Sequence, residues 1–214
     1  MHTILATNAL NGIKSAKIAI VYKSKYGTTK KYAKWLAKAL IKSQANCDLY
    51  EAGKISSQDL NNCELLIFAG ALYGGNLSIA QNLKDFLIQA KQAIKHTAQN
   101  PKKQNITPKI HCLIIGLSNP SNTLSYQNAL DKNLSQAQQK GIRFYFLQGK
   151  LDFGKLDKSD KEAMQSYRAM LHTKPNKTPQ QEALLANEVI DFVNKDFLNP
   201  IIDEVLSGKI TIKE

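Results

Sequence analysis

Cysteine is scarce: Cys47, Cys63 and Cys112 are the only three in 214 residues, and no two of them stand in a C-x-x-C spacing. That excludes a disulfide framework and a paired-thiol redox motif. Cys112, inside an apolar run, reads as a small core residue. The four histidines, His2, His96, His111 and His172, are scattered, so no metal centre is expected. Any redox chemistry must then come from an organic cofactor. No apolar run approaches the ~20 residues that cross a bilayer. Residues 1–16 have no basic n-region and only a broken apolar stretch. They are read as an extension before the first strand, and the chain is expected to remain cytoplasmic. Aromatic residues make up 7% and are not interleaved with the lysines, which gives no support to a stacking platform for single-stranded nucleic acid, so no nucleic-acid partner is expected. Neither G-x-G-x-x-G nor a G-K-[ST] ending occurs where the chain would need it for a dinucleotide or a nucleoside triphosphate.

What the chain has in excess is positive charge, a formal +12 at pH 7 from 29 basic and 17 acidic side chains. Such a balance attracts polyanions, among them anionic lipid headgroups and acidic proteins. Lys30, Lys34, Lys38 and Lys42 recur every four residues and so share one face of a helix, where like charges cost roughly 0.2–0.5 kcal/mol per pair. The row is either a solvated face or a docking surface.

Strand-like and helix-like patterns alternate along residues 17–147. Strands are expected over 17–23, 47–51 (a weaker pattern), 64–70, 110–116 and 143–147. The central ones are nearly continuous in apolar residues, as in a parallel sheet buried on both faces. Between them, Ala33, Leu36, Ala37 and Leu40 mark a first helix. Ile79, Leu83, Phe86, Leu87, Ala90 and Ile94 mark a second, with Ser78 and Gln81 as a capping box. Tyr126, Leu130, Leu134 and Ala137 mark a third, ended by Gly141. This alternation predicts a doubly wound three-layer α/β sandwich, a single domain over 17–214. Beyond the fifth strand, residues of about 150–195 exceed what the sandwich needs. Leu156, Met164, Tyr167 and Leu171 give that insertion a helical face, and Thr178-Pro179-Gln180-Gln181 opens a further helix with Thr as cap and Pro at its first position. A short closing helix follows from Asn199-Pro200 to near Gly208. The insertion is expected to govern the partner rather than the fold; the competing reading is that its apolar face simply packs on the sheet edge. Its Lys155, Lys158, Lys161, Lys174 and Lys177 attract an anionic membrane by about 1 kcal/mol each near the surface, partly offset by Asp152, Asp157, Asp160 and Glu162. Weak, reversible association with an anionic membrane surface is expected.

Ligands of open α/β sheets bind beyond the carboxyl ends of the strands. Three loops leave those ends. The first, Ser24-Lys25-Tyr26-Gly27-Thr28-Thr29, joins a strand to a helix N-terminus, where free N–H groups and the positive dipole end hold a phosphate. Ser24, Thr28 and Thr29 supply hydroxyls to it. The second, Ala71-Leu72-Tyr73-Gly74-Gly75-Asn76, offers a stacking ring and backbone that can approach a planar ligand. The third begins Leu117-Ser118-Asn119-Pro120 and is dense in amides and hydroxyls suited to the polar edge of a heterocycle. A phosphate site, an aromatic wall and a polar loop together describe a flavin mononucleotide (FMN) pocket. No side chain is nominated as a catalytic acid or base.

The loop of residues 24–29, with its flanking strand and helix, resembles the phosphate loop of flavodoxin-like proteins, and Ala69-Gly70-Ala71-Leu72-Tyr73-Gly74-Gly75 resembles their second flavin loop. The stretch from Gly149-Lys150-Leu151-Asp152 through Asp191-Phe192-Val193 to Asn199-Pro200-Ile201-Ile202 is similar to the subgroup related to menaquinone-dependent protoporphyrinogen dehydrogenase. The resemblance implies a flavodoxin-like five-stranded parallel sheet in the order 2-1-3-4-5, with a helical insertion after the fifth strand. It implies FMN as cofactor and an oxidoreductase that passes electrons through FMN to a quinone or similar acceptor. Tyr26 departs from the Ser or Thr usual in flavodoxins proper, and the third loop lacks an aromatic; the open second flavin face suits a bulky substrate or quinone, or equally means weak FMN retention. Two other readings stand beside it. One is a flavodoxin-type electron carrier, whose usual members are strongly acidic rather than basic. The other is a cofactor-free flavodoxin-like binding module.

Overall fold

The computed structural model describes residues 17–60, 63–97 and 108–207; the extension over 1–16 and the stop near Gly208 lie outside them. Five strands form the parallel sheet: β1 (Lys17–Tyr22), β2 (Asn46–Glu51), β3 (Leu65–Tyr73), β5 (Lys109–Gly116) and β6 (Ile142–Gln148), in the order β2-β1-β3-β5-β6. A two-residue strand, β4 (Asn76–Leu77), folds back antiparallel on the end of β3. Counting only the parallel strands, the order is the expected 2-1-3-4-5.

The sheet is apolar on both faces because helices cover both. Ile18, Ile20 and Tyr22 of β1 face α1 (Thr28–Lys42) and the closing helix, here α7 (Asn199–Leu206), and form a core with Tyr32, Leu36, Leu40, Leu198, Ile201 and Val205. Their neighbours Ala19 and Val21 point the other way, toward α2 (Ala80–Thr97) and α3 (Thr123–Asn133), into a core with Phe68, Ile79, Leu83, Tyr126 and Leu130. The period-2 alternation of a strand thus serves two cores at once. Each fully buried Leu, Ile or Phe adds roughly 1.5–3 kcal/mol relative to exposure.

Two local expectations are corrected. The third helix is not continuous: α3 ends at Asn133, and Ser135 starts the single turn α4 (Gln136–Gln139) with its own capping box to Gln138. Leu134 stays buried at the break, so the apolar period runs on while the backbone does not. Ser78 does not cap α2, because its hydroxyl accepts the Ala71 N–H at 3.0 Å and reaches the Lys23 carbonyl at 3.4 Å.

The insertion is a small unit with its own core. It comprises β7 (Lys150–Asp152), α5 (Lys158–Thr173), α6 (Pro179–Ala186) and β8 (Val189–Asp191), with β7 and β8 paired antiparallel. Leu151, Phe153, Leu171, Leu184 and Ile190 are buried together, with Leu156 and Met164 packed against them. Thr178 and Gln181 make the expected capping box, with Pro179 in the first turn of α6. Arg168 ties the unit together, its guanidinium 3.5 Å from the Phe153 ring centre and its Nε donating to the Leu184 carbonyl at 2.8 Å.

Candidate functional site

A cavity of about 580 Å³ lies at the carboxyl ends of β3, β5 and β6, bounded by the loops that leave β1, β3 and β5. From the sequence-derived candidates it brings together Tyr26, Thr28, Thr29, Ala71, Leu72, Tyr73, Gly74, Gly75, Leu117 and Ser118. Ser24, Lys25, Gly27, Asn119 and Pro120 do not line it.

The first loop is a tight turn that presents free backbone amides at the start of α1. Gly27 occupies the N-cap of α1 with φ +91°, a left-handed conformation natural to glycine. Its N–H donates to Ser24 Oγ at 3.2 Å, which shapes the turn. The first intrahelical bond runs from Lys31 N–H to the Gly27 carbonyl at 2.9 Å, so the amides of Thr28, Thr29 and Lys30 precede it, at the positive end of the dipole. Thr29 is 1% exposed, and its Oγ1 has no hydrogen-bond partner. Lys25 turns away from the turn: its ammonium is held by Asp157 at 2.5 Å and Asp160 at 2.7 Å, which raise its pKa above the ordinary lysine value. Asn119 is likewise occupied within its own turn, accepting from Ser121 N–H at 3.0 Å and Ser121 Oγ at 2.8 Å.

The second loop is a two-residue hairpin turn. Tyr73 pairs with Asn76 across Gly74 and Gly75, whose φ values of +56° and +78° suit the primed turns that match strand twist. Side chains from the end of α3 fix its carbonyls. Lys132 Nζ donates to the Gly74 carbonyl at 3.1 Å and Asn133 Nδ2 to the Gly75 carbonyl at 2.7 Å, while Asn133 Oδ1 accepts from Leu77 N–H at 2.8 Å. Burial raises the pKa of the Tyr73 phenol, so it stays protonated at neutral pH.

The insertion also contributes to the cavity lining. Leu156, Asp160, Ala163, Met164 and Tyr167 line the cavity from the insertion, joined by Lys150 and Leu151. The insertion therefore shapes the site as well as offering a surface. Ser125, Asn128 and Lys132 line it from α3. The apolar period of α5 pointed to a buried face, but nothing local to the sequence placed that face over a loop more than a hundred residues earlier.

Among the described residues, no group of three or more His, Cys, Asp or Glu is arranged to hold a metal ion. The three cysteines are free, and burial pushes the Cys47 and Cys112 thiols up to about 12, which leaves them unreactive at neutral pH. No helix among the described residues is long and apolar enough to cross a membrane.

A family model described as a flavodoxin domain matches residues 19–178. The chain belongs to the flavodoxin-domain family. The matched span takes in the parallel sheet from the third residue of β1 onward and all of α5, and stops just before α6. No curated protein matches the sequence. Among solved structures, the chain is similar to the rubredoxin oxygen:oxidoreductase of the anaerobe Desulfovibrio gigas, at 12% identity and a TM-score of 0.45, over 91% of this chain and 37% of that one. This flavodoxin-domain chain therefore spans little more than a third of that protein's length. It is also similar to a short-chain flavodoxin associated with a non-canonical PDU bacterial microcompartment, at 13% identity and a TM-score of 0.37, over 71% of this chain and 93% of that one. Oxidised flavodoxin 2 from Bacillus cereus is 17% identical with a TM-score of 0.34, over 71% of this chain and 94% of that one.

Proposed function

We propose that the cavity binds FMN and that the chain is an FMN-dependent oxidoreductase. The observation that carries this reading is Thr29 Oγ1, a buried hydroxyl without a partner on the cavity wall at the start of α1. A buried polar group left unpaired costs about 1–3 kcal/mol. A phosphate oxygen at the helix N-terminus supplies the missing partner. In this reading the amides of Thr28, Thr29 and Lys30 and the hydroxyls of Thr28 and Thr29 hold the phosphate. Ser24 acts through the turn it shapes. The Tyr73 hairpin walls the ring system, the α5 side lines the space beside it, and Leu117 and Ser118 border its polar edge.

Bound FMN supplies the electron-transfer chemistry, and the chain supplies position, shielding and electrostatics. The finer reading is an enzyme of the protoporphyrinogen dehydrogenase type that delivers electrons to a quinone or similar acceptor. Its support is the apolar wall of Leu156, Ala163 and Met164 beside the candidate flavin site, which favours a substrate of apolar, planar character. Weak association with an anionic membrane surface belongs to the same proposal.

The test is an FMN titration of the purified chain and of Thr29→Val, an isosteric change that removes only the orphaned hydroxyl. Affinity is expected to fall roughly 10- to 100-fold, the equivalent of a hydrogen bond to a charged group at about 1.5–3 kcal/mol. Equal affinity in the two proteins rejects the phosphate assignment. Reoxidation of the reduced, FMN-loaded protein by a soluble quinone then separates an enzyme from a carrier that reacts only with a protein partner.

A further inference from the structure

The insertion grips the first ligand loop through a set of side chains that phosphate binding does not require. Lys25 Nζ lies 2.5 Å from Asp157 Oδ2 and 2.7 Å from Asp160 Oδ2. The Tyr26 hydroxyl donates to the same Asp160 oxygen at 2.5 Å and accepts the Asp157 N–H at 3.2 Å. Both acids stand at the start of α5. Asp157 is its N-cap and accepts the Asp160 N–H at 2.9 Å. The chain of contacts continues to the flavin-side hairpin: the Tyr26 ring meets the Tyr73 ring edge-on at 5.8 Å, and the Tyr73 hydroxyl accepts the Lys25 N–H at 3.4 Å. The N-terminus of α5, the loop over 24–29 and the tip of β3 are thus one connected girdle around one end of the cavity.

The two ends of α5 are held by different physics. Toward its C-terminus, Leu171 is fully buried in the apolar core of the insertion. At its N-terminal end Leu156 and Met164 pack only partly buried against that core, and the hold on the first loop is polar, with the Lys25, Asp157 and Asp160 side chains 43%, 49% and 22% exposed. Exposed charge pairs of this kind hold weakly and are screened by salt. One end is an anchor and the other a catch. Because Leu156, Asp160, Ala163, Met164 and Tyr167 all line the cavity, movement of the polar end uncovers a whole wall.

We propose that this girdle is a latch, that α5 is the movable wall of the ligand site, and that Asp160 is a positioning residue which acts through Tyr26 to set how long a ligand stays. The latch explains the tyrosine in the loop. The Tyr26 hydroxyl is taken up by Asp160 and the Asp157 N–H, and its phenol length lets it span from the loop to α5. Ligand entry and exit follow release of Lys25 from its two carboxylates. The gating role rests on the FMN reading; the latch itself does not.

The test uses the full chain with Lys25→Met, Asp160→Ala and Asp160→Asn. Lys25 and its partners are exposed enough for the fold to survive all three. In the ligand-free protein, backbone hydrogen exchange over 157–164 is expected to rise about tenfold in Lys25→Met, which loses two ion pairs, and in Asp160→Ala, which loses one ion pair with one hydrogen bond. In Asp160→Asn, whose amide oxygen still accepts from Tyr26, it rises less. FMN release, followed by recovery of flavin fluorescence on dilution, is expected to quicken in the same order. Added salt is expected to speed release from the native chain and to have little effect in Lys25→Met. Unchanged exchange in both Lys25→Met and Asp160→Ala overturns the latch. Faster exchange with unchanged FMN release overturns its gating role. A native chain that takes up no FMN overturns the functional reading above, and the exchange measurement still decides the latch.

Discussion

Tyr32 of α1 donates its buried hydroxyl to the Gln148 carbonyl at 2.7 Å, at the end of β6, and accepts the Asn194 N–H at 3.0 Å. One phenol therefore clasps the chain where it leaves the sheet for the insertion and where it returns. Tyr32 is 0% exposed, and Tyr32→Phe keeps its packing while leaving one carbonyl and one amide without their partner. A loss of about 1–2 kcal/mol in urea unfolding is expected, together with faster proteolysis near 192–195. A variant as stable and as protease-resistant as the native chain shows that water replaces the phenol at no cost.

Tyr73 offers a second measurement. It sits beside the cavity at the end of β3, with its ring braced by Tyr26. If it is the flavin wall, FMN bound to the native chain is strongly quenched and FMN bound to Tyr73→Leu fluoresces. Affinity is expected to fall by about tenfold, in line with an aromatic contact of ~0.5–1.5 kcal/mol beyond buried area. The same fluorescence and affinity in both proteins place the ring elsewhere.

Much of the fold was legible because its signals are local. The apolar run of β1, the glycine-threonine turn and the period of α1 lie within a single stretch, and each level agrees with the next. Thr178, Pro179 and Gln181 were equally readable, since a cap is settled by residues three apart. Ser78 misled for the opposite reason. Its hydroxyl had a tertiary partner, the Ala71 N–H, that no window around α2 displays. The break at Ser135 was hidden because Leu134 keeps the apolar period intact. The candidate site divides the same way. Its phosphate turn and hairpin are contiguous in sequence, whereas the wall from α5 depends on contacts such as Lys25 to Asp160, 135 residues apart. Lys25, counted with that loop from the sequence, is instead turned toward its carboxylate partners.

His111 makes the fold sensitive to acid at the opposite end of the sheet from the cavity. It is 3% exposed on β5, its Nδ1 has no hydrogen-bond partner, and its Nε2 lies 3.6 Å from Glu204 Oε1. Burial pushes the imidazole down from 6.5 to about 4, although the Glu204 carboxylate opposes the shift. Between those two values the unfolded chain binds the proton and the folded chain does not. Stability from this group is therefore complete above its unfolded pKa and is lost as pH falls toward its folded one. The loss is on the order of 3 kcal/mol between pH 7 and pH 4, at 1.36 kcal/mol for each unit of difference. Urea unfolding of native chain and His111→Gln across that range checks it. The variant is expected to show a shallower decline, and parallel curves exclude His111 as the sensor.

The insertion can be removed at a single point. Gly149 N–H donates to the Gly116 carbonyl at 2.7 Å, and Phe192 N–H donates to the Gly149 carbonyl at 3.1 Å, so the outgoing and returning chains touch. The insertion carries its own core, while the sheet is packed by α1, α2, α3 and α7. Replacing 150–191 with a short glycine linker is therefore expected to leave a cooperatively folding sandwich. It also removes seven residues from the cavity wall, so FMN is expected to bind about tenfold more weakly, the equivalent of ~1.4 kcal/mol of lost apolar contact. Sedimentation with anionic vesicles adds a second readout. Lys150 and Lys155 are already paired with Asp191 and Asp152, which leaves Lys158, Lys161, Lys174 and Lys177 as the stronger contributors from this unit. Vesicle binding by the intact chain is expected to be weak, to decline with salt and to fall on excision. Binding that survives excision points instead to the row of Lys30, Lys34, Lys38 and Lys42 on α1. A truncated chain that unfolds shows that the insertion is part of the core and not a wall added to it.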